Sequence, residues 1–214
     1  MKKIITIATM VMAFVVNASP YNIFMTGDSH ICSNIYPETV GAILSEADRE
    51  IDFDYWGKVG AGFYTFNDSE EMMQRIYDAE PSILIVHLGT NDCYSPKFSP
   101  EKFLSDLGEF YGNVSERFPD CKMVFVTPFF NKFKNGKLNE QNRKCAAAYL
   151  EFAKNHKNVY IIDNNATHGM YFLEGGESLI RPDNVHLTAE GYKQLGEQVG
   201  SALLSIEDLW LLND

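Results

Sequence analysis

A serine and a histidine–aspartate pair are the residues of this sequence best suited to act together in catalysis. Ser29 lies in the tetrapeptide Gly-Asp-Ser-His at 27–30, directly after an apolar run. A turn from a buried strand into a helix can hold a serine outward over helix N–H groups, although small polar residues are also common in ordinary loops. Asp183 and His186 are three residues apart, so a turn can bring the carboxylate to Nδ1 of the imidazole. Nε2 is then free to take a proton from a hydroxyl, and serine needs such a base to become a nucleophile.

Acyl transfer also requires hydrogen-bond donors for the negative charge that develops on the carbonyl oxygen. Three donors are available in the sequence: the backbone N–H of Ser29, the backbone N–H of Gly62 with Gly60 as the alternative, and the side-chain amide of Asn91. A glycine N–H can approach a substrate without a Cβ in the way, and an asparagine amide donates without carrying charge. Asn91 could instead serve only to hold its loop, Gly-Thr-Asn-Asp at 89–92.

Apolar runs rich in β-branched residues alternate with longer amphipathic stretches along the chain. The amphipathic stretches predict helices near 35–48, 68–79, 100–117, 139–155 and 189–205. The apolar runs predict strands at Tyr21–Thr26, Phe53–Val59, Ile83–Leu88, Met123–Thr127 and Val159–Ile162. This alternation is typical of a doubly wound parallel sheet with helices on both faces, here in one α/β domain.

Small, polar and titratable residues follow each predicted strand. They include the segments 27–30, 60–62 and 89–92, and a loop that ends in Arg-Pro-Asp-Asn-Val-His at 181–186. Because ligands bind beyond the carboxyl ends of the strands in such a sheet, we expect these segments to meet on one rim of the domain.

The four motifs resemble those of a known enzyme family. Gly-Asp-Ser near the start, a glycine after the second strand, Gly-Thr-Asn-Asp after the third and Asp-Asn-Val-His before the last helix are similar to the motifs of the SGNH hydrolase superfamily, the GDS-type esterases and lipases. They run from Gly27 to His186, in the family's order. The resemblance implies a three-layer α/β/α fold with a central five-stranded parallel sheet, a serine-esterase mechanism and no cofactor.

The resemblance also implies roles for individual residues. Ser29 would be the nucleophile, His186 the base and acid, and Asp183 the carboxylate that orients it. Gly62 and Asn91, together with the Ser29 N–H, would donate to the oxyanion. The sequence departs from the family at residue 30, where His30 replaces the commonest leucine, and we interpret it as a substrate-binding residue of the cleft.

The first eighteen residues have the pattern of a secretory signal peptide. Lys2 and Lys3 precede an apolar stretch from Ile4 to Val16, and Val-Asn-Ala at 16–18 has the small-x-small form of a cleavage site. The stretch is short for a membrane span, and no stop-transfer segment follows it. We expect an exported protein, secreted or periplasmic, whose single catalytic domain covers 19–214.

The charge excludes several classes of partner. The formal net charge is −11, and removal of Lys2 and Lys3 leaves 16 basic against 29 acidic residues, a net charge of −13. A protein that binds nucleic acid or an anionic membrane needs clustered positive charge on its own surface, so neither is an expected partner. No Cys-x-x-Cys or Cys/His spacing indicates zinc, and we expect no metal. No Gly-x-Gly-x-x-Gly or Gly-x-x-x-x-Gly-Lys motif follows the first strand, which argues against a nucleotide-binding domain.

Two loops are candidates for contact with the substrate. The loop at 128–139 could stack a sugar ring and attract a carboxylate, or could be a solvated turn; it carries Phe129, Phe130, Lys132, Phe133, Lys134 and Lys137. The loop at 164–182 could wall the cleft or simply pack; it carries His168, Met170, Tyr171, Phe172 and Arg181. We take Tyr171 as its substrate-binding residue.

A carbohydrate O-acetylesterase is the function that the sequence favours. Exported members of the resembled superfamily often remove acetyl groups from polysaccharides, and the sequence has no long apolar insertion that could form a fatty-acyl tunnel. The alternatives are a lysophospholipase or thioesterase that acts on longer chains, and a non-catalytic carbohydrate-binding relative. The presence of Ser29, His186 and Asp183 together argues against the latter.

The four cysteines could oxidise in an exported protein. Cys32 follows the Ser29 turn and Cys93 follows Asp92, so both should lie near the carboxyl ends of neighbouring strands. We expect a Cys32–Cys93 disulfide that braces the rim. Cys121 and Cys145 are less suited to pair, because Cys121 begins a strand and Cys145 lies inside a helix.

Overall fold

The structure is a computed structural model that describes residues 21–47, 49–129, 131–136, 138–164 and 176–211. The expected signal peptide and Tyr171 therefore lie outside the described residues. Five parallel strands form one sheet in the order β2-β1-β3-β4-β5. They are β1 (Tyr21–Gly27), β2 (Ile51–Gly57), β3 (Ile83–His87), β4 (Lys122–Val126) and β5 (Val159–Ile162). The predicted five-stranded parallel α/β fold is confirmed.

Seven α-helices accompany the sheet in the described part of the chain. They are α1 (Ile35–Ser45), α2 (Phe63–Asn67), α3 (Glu70–Ala79), α4 (Thr90–Tyr94), α5 (Pro100–Arg117), α6 (Asn139–Ala153) and α7 (Ala189–Ser205). The five predicted helices are present, but α2 and α4 were not predicted. Each has only five residues, too few for a periodic pattern to show in the sequence.

Several helices begin where the sequence places a capping residue. The Ser99 hydroxyl accepts a hydrogen bond from Lys102 N, and Pro100 follows at the first helical position of α5. The Thr188 hydroxyl accepts from Gly191 N at the start of α7. These caps satisfy backbone N–H groups that have no partner within the helix.

The two faces of the sheet carry separate hydrophobic cores because successive strand side chains point in opposite directions. Ile23, Met25 and Ile85 point towards α1 and α7, where they pack with Tyr36, Val40, Leu195 and Val199. Phe24, Leu84 and Val86 point towards α2, α3, α5 and α6, where they pack with Phe63, Phe66, Phe110 and Tyr149. Each central strand is therefore buried on both faces and reads as a continuous apolar run.

The strand β2 starts and ends two residues earlier than predicted. Its register with β1 pairs Tyr21 with Ile51 and Gly27 with Gly57. The N–H of Lys58 still donates to the carbonyl of Gly27, but Val59 is exposed and lies outside the sheet. The segment 58–62 is consequently free to form a loop over the rim. Within the described residues, no helix is both long and apolar enough to cross a bilayer.

Helices α1 and α7 approach each other closely because glycine occupies the contact. A Cβ on Gly196 would lie 2.5 Å from Cβ of Thr39 and 2.9 Å from the carbonyl oxygen of Tyr36. Neither neighbour is the end of a flexible side chain, so the helices would have to separate to accept it. The packed pair of helices α1 and α7 supports the sheet beneath the Ser29 turn.

We expect Gly196→Ala to lower the free energy of unfolding by about 1–2 kcal/mol in urea denaturation, because overpacking costs more than the helix propensity that alanine adds. The matched control is Gly112→Ala in α5, where an added Cβ meets nothing within 4 Å. That variant should gain about 0.5–1 kcal/mol. Equal effects of the two substitutions would contradict the close α1–α7 contact.

Candidate active site

The structure brings Ser29, His186 and Asp183 together. Nε2 of His186 lies 2.8 Å from Oγ of Ser29, and Nδ1 lies 3.0 Å from Oδ2 of Asp183. Both distances are those of hydrogen bonds, and they place the imidazole between the hydroxyl and the carboxylate. The arrangement can transfer the Ser29 proton to His186 while Asp183 holds the tautomer that leaves Nε2 as the acceptor.

The loop that carries Asp183 and His186 is closed by its own backbone. The N–H of Arg181 donates to the carbonyl of His186 at 2.8 Å, and an antiparallel bridge joins Ile180 to Leu187. Within the loop, Asn184 adopts a left-handed backbone conformation with φ 63°, which asparagine tolerates better than most residues. The bridge fixes the loop immediately before α7 and aims the His186 side chain at Ser29.

Asp183 is held in its ionised form by the turn. Oδ1 of Asp183 accepts hydrogen bonds from the N–H groups of Val185 at 2.9 Å and His186 at 2.8 Å. Partial burial opposes ionisation, but these two N–H groups and the imidazole outweigh it and lower the pKa of Asp183 below its ordinary value. The carboxylate is therefore negatively charged at neutral pH, as it must be to stabilise a protonated His186.

Ser29 lies in a tight turn at the carboxyl end of β1. Gly27, the last residue of the strand, is in register with His87 of β3, and a Cβ on Gly27 would lie 2.3 Å from the His87 carbonyl oxygen. Glycine is thus required for the two strand ends to come this close. Ser29 is followed by a short 3₁₀ turn at Ile31–Ser33, and α1 begins only at Ile35. Ser29 therefore lies before this 3₁₀ turn and not directly at the N-terminus of the first α-helix.

His30 does not line the cleft as expected. Its side chain is 1% exposed, and its ring packs against those of His87, Phe129 and His186 with centroid separations of 4.8–5.5 Å. Nδ1 of His30 lies 3.0 Å from the hydroxyl of Tyr192. Burial lowers the pKa of His30 well below its ordinary value, with further lowering from His87 and His186. The neutral ring forms the floor beneath His186 and is not placed to contact a substrate.

Asn91 connects the loops that follow β1, β2 and β3. Its Nδ2 donates to the carbonyl of Ala61 at 2.8 Å and lies 3.4 Å from Oδ2 of Asp28. Next to it, Oδ1 of Asp92 accepts from the N–H of Phe63 at 3.0 Å. The segment 60–62 is consequently held from both sides by residues of the Gly-Thr-Asn-Asp motif.

The structure argues against Gly62 as an oxyanion donor. The N–H of Gly62 donates to Oγ1 of Thr65 at 2.8 Å at the start of α2, and Gly62 also packs against the Asp92 carboxylate. Gly60 has φ +77°, lies in the open at the rim, and its N–H has no acceptor among the described residues. Gly60, the alternative donor in the sequence pattern, is therefore the glycine whose N–H is available to a substrate.

Two buried carboxyl groups lie behind these loops. Burial raises the pKa of Asp28 to about 7, against the lowering effect of the His30 N–H bonded to it. Burial also raises the pKa of Asp92 to about 6, against the lowering effect of the Phe63 N–H. Both residues belong to motifs that the sequence singled out, but their burial is a tertiary property that no local pattern indicates.

The loop at 128–136 contacts the site through a buried ring and a backbone hydrogen bond, and not through an exposed aromatic ring. Phe129 is 2% exposed and belongs to the core beneath His30, so it cannot stack on a sugar. The N–H of Lys132 donates to the carbonyl of Asn184 at 3.0 Å, which joins this loop to the loop of His186. Phe130, Lys137 and the side chain of Phe133 lie outside the described residues, as do residues 165–175.

The expected Cys32–Cys93 disulfide is not present. Both cysteines are free thiols: Cys32 is exposed, and Cys93 is buried with its Sγ 3.6 Å from the carbonyl of Gln141 in α6. Cys93 faces the core because it lies on the inner side of the unpredicted helix α4. In the described part of the chain, no three His, Cys, Asp or Glu side chains form a group that could hold a metal ion.

Known structures similar to this one include several esterases. LAE5, an alpha/beta hydrolase enzyme from the metagenome of Lake Arreo, Spain, aligns over 92% of this chain and 98% of its own, with a TM-score of 0.72 and 15% identity. A carbohydrate esterase family 3 structure from Talaromyces cellulolyticus aligns over 86% and 96%, with a TM-score of 0.68 and 17% identity. The acetyl xylan esterase AlAXEase aligns over 85% and 98%, with a TM-score of 0.67 and 16% identity. At these identities the likeness establishes the fold.

A family model gives the more direct result. The model of the GDSL-like Lipase/Acylhydrolase family matches residues 25–194, which include Ser29, Asn91, Asp183 and His186. No curated protein matches the sequence significantly. The match covers most of the chain. The fold of the structure agrees with that of the structural neighbours. The chain therefore belongs to the GDSL-like lipase/acylhydrolase family, within the SGNH superfamily of serine hydrolases.

Proposed function

We propose that the protein is a serine esterase that hydrolyses short-chain acyl esters, in particular O-acetyl esters of carbohydrates, with Ser29, His186 and Asp183 as its catalytic residues. The observation that carries the proposal is the continuous hydrogen-bonded chain from Ser29 Oγ through both imidazole nitrogens of His186 to Asp183. Such a chain makes a serine nucleophilic, and family membership supplies the reaction class of ester hydrolysis.

The reaction follows from the positions of these groups. Oγ of Ser29 attacks the ester carbonyl while Nε2 of His186 takes its proton, and the ionised Asp183 stabilises the imidazolium that forms. His186 then returns the proton to the departing alcohol, which leaves an acyl group on Ser29. A water molecule, deprotonated by His186, attacks this acyl-enzyme and releases the carboxylic acid.

The oxyanion that forms in both steps needs donors on the rim. We assign this role to the N–H groups of Ser29 and Gly60 and to Nδ2 of Asn91. One Nδ2 hydrogen is committed to Ala61 at 2.8 Å, whereas the contact to Asp28 is long at 3.4 Å. The second hydrogen is therefore only weakly bonded and is available to a developing negative charge.

The short acyl preference rests on what surrounds Ser29. The neighbouring segments, 60–62 and 89–92, are short and partly polar, and His30 is folded into the floor of the site. Carbohydrate as the alcohol part is supported by the structural neighbours, which include a carbohydrate esterase family 3 structure and an acetyl xylan esterase. An esterase for longer acyl chains, such as a lysophospholipase or thioesterase, is the alternative.

We expect Ser29→Ala to lower kcat for an aryl acetate by about 10³-fold or more while the thermal unfolding transition is retained, because the nucleophile is lost and its side chain is half-buried on the rim. Ser33→Ala is the matched control. Ser33 lies in the 3₁₀ turn that follows Ser29, and among the described residues its hydroxyl accepts only from the N–H of Tyr36, at 3.4 Å. Native activity of Ser29→Ala would exclude the proposed mechanism.

We expect Asn91→Ala to lower kcat by about 10²–10³-fold, the usual loss for one oxyanion donor. Because this substitution also frees the Ala61 carbonyl, Asn67→Ala serves as the control. Nδ2 of Asn67 likewise donates to a backbone carbonyl, that of Asp106 at 2.8 Å, but away from Ser29 on α2. If the two variants lose activity equally, the role of Asn91 is structural and the oxyanion assignment fails.

We expect kcat/KM for aryl esters, measured at neutral to mildly alkaline pH, to be highest with acetate and to fall steeply by hexanoate. An enzyme with an apolar acyl slot would instead gain as each methylene adds up to about 0.8 kcal/mol of binding. The measurement is a series of acetate, butyrate, hexanoate and octanoate esters, with Ser29→Ala as the background. An optimum at octanoate would favour the longer-chain alternative.

A further inference from the structure

Two buried thiols outside the catalytic site lie on facing turns of α4 and α6 in the core. Cys93 is on α4, two residues after Asn91, and Cys145 is on α6; both side chains are completely buried. Sγ of Cys93 lies 3.6 Å from the carbonyl oxygen of Gln141, which is one helical turn before Cys145. The Cys93 thiol is therefore at the turn of α6 that carries Cys145.

Cys145 in turn lies beside the start of α4. Sγ of Cys145 lies 2.9 Å from the position that a Cβ on Gly89 would occupy, and the Gly89 carbonyl accepts from the N–H of Cys93 at 2.9 Å. The Cys145 thiol is thus at the turn of α4 that carries Cys93. Gly89, with φ +107°, leaves the space that this contact needs.

We propose that Cys93 and Cys145 form a disulfide when the chain folds in the presence of a disulfide donor, and that this bond ties the Asn91-bearing helix α4 to α6. The remaining two cysteines are placed elsewhere. Cys32 is exposed three residues after Ser29, and Cys121 precedes β4 with its Sγ next to the Lys122 carbonyl.

The chemistry is two successive thiol–disulfide exchanges. The thiolate of one cysteine attacks the donor disulfide, forms a mixed disulfide and releases one donor thiol. The thiolate of the other cysteine then attacks the protein sulfur of the mixed disulfide and releases the second donor thiol. The protein loses two hydrogen atoms and is oxidised, and the donor disulfide is reduced to two thiols.

Oxidation must take place before the core closes. Neither thiol is accessible in the folded protein, and burial raises the pKa of Cys145 well above its ordinary value, with the Cys93 thiol adding to the effect. A neutral, buried thiol attacks a disulfide slowly. The bond therefore forms on the folding chain, and the reduced folded protein resists oxidation.

The test compares the chain refolded from denaturant with oxidised glutathione and with dithiothreitol, followed by alkylation in denaturant, intact-mass measurement and peptide mapping. In oxidised protein we expect a Cys93–Cys145 linked peptide, alkylated Cys121, and Cys32 alkylated or bound to glutathione. We also expect a Tm about 5–10 °C above that of the reduced protein, because the bond closes a long loop of the unfolded chain.

Two cysteine variants test whether the disulfide is specific to Cys93 and Cys145. Cys121→Ser, a change at another buried thiol, should retain the linked peptide, and Cys145→Ala should lose it together with the Tm difference. If refolding fails, cell-free synthesis with oxidised glutathione supplies the same wild-type measurement. Alkylation of both Cys93 and Cys145 in folded, oxidised protein, or a link from Cys93 to Cys32, would overturn the proposal.

Discussion

The pairing of β1 with β3 is the interaction on which the site depends. These strands are adjacent in the sheet although β2 lies between them in the chain, and Gly27 faces His87 where both strands end. The segments that follow them must therefore begin side by side. This adjacency places the Ser29 turn next to the loop of Asn91, and the absence of a side chain at Gly27 allows the backbones to approach.

The polar groups beneath the site are the second constraint. Asp28, His30, His87 and Asp92 are all buried, and burial of an ionisable group is costly unless it is neutral or hydrogen-bonded. Burial lowers the pKa of His87 to about 3, so this ring is neutral, and it lies 3.2 Å from the hydroxyl of Tyr36. The Asp28 carboxyl accepts from the N–H of His30. These hydrogen bonds satisfy only part of the buried groups, since Nε2 of His87 and Oδ2 of Asp92 have no hydrogen-bond partner among the described residues. The bonds that are made fix the loops above them.

The loop after β2 shows how one glycine position can be distinguished from another. In the sequence, Gly60 and Gly62 are two glycines in the same polar segment. In the structure, Gly62 is the N-cap residue of α2 and its N–H donates to Oγ1 of Thr65, whereas Gly60 adopts a positive φ at the open rim. The difference arises from the start of a five-residue helix that packs Phe63 and Phe66 into the core.

The sequence by itself determined the fold class, the five strands and the three residues of the hydrogen-bonded chain at Ser29. These features follow from local patterns: apolar runs, capping residues, and the short spacing of Asp183 and His186, which lets one turn bring them together. The bounds of β2 and the helices α2 and α4 were not predictable in this way, because the strand register and the packing of short helices are set by partners distant in the chain.

Only the tertiary structure decided which side chains face the rim and which face the core. His30 was expected in the cleft, Phe129 was expected either in the cleft or on a solvated turn, and Cys93 was expected beside Cys32. Each of these residues follows a strand that ends on the rim. A side chain's direction after a strand depends on the turn that follows and on the space beneath it. His30 turns inward against Tyr192 of the last helix, and Cys93 turns inward on α4 to meet α6. Neither contact leaves a signal in the sequence near the residue itself.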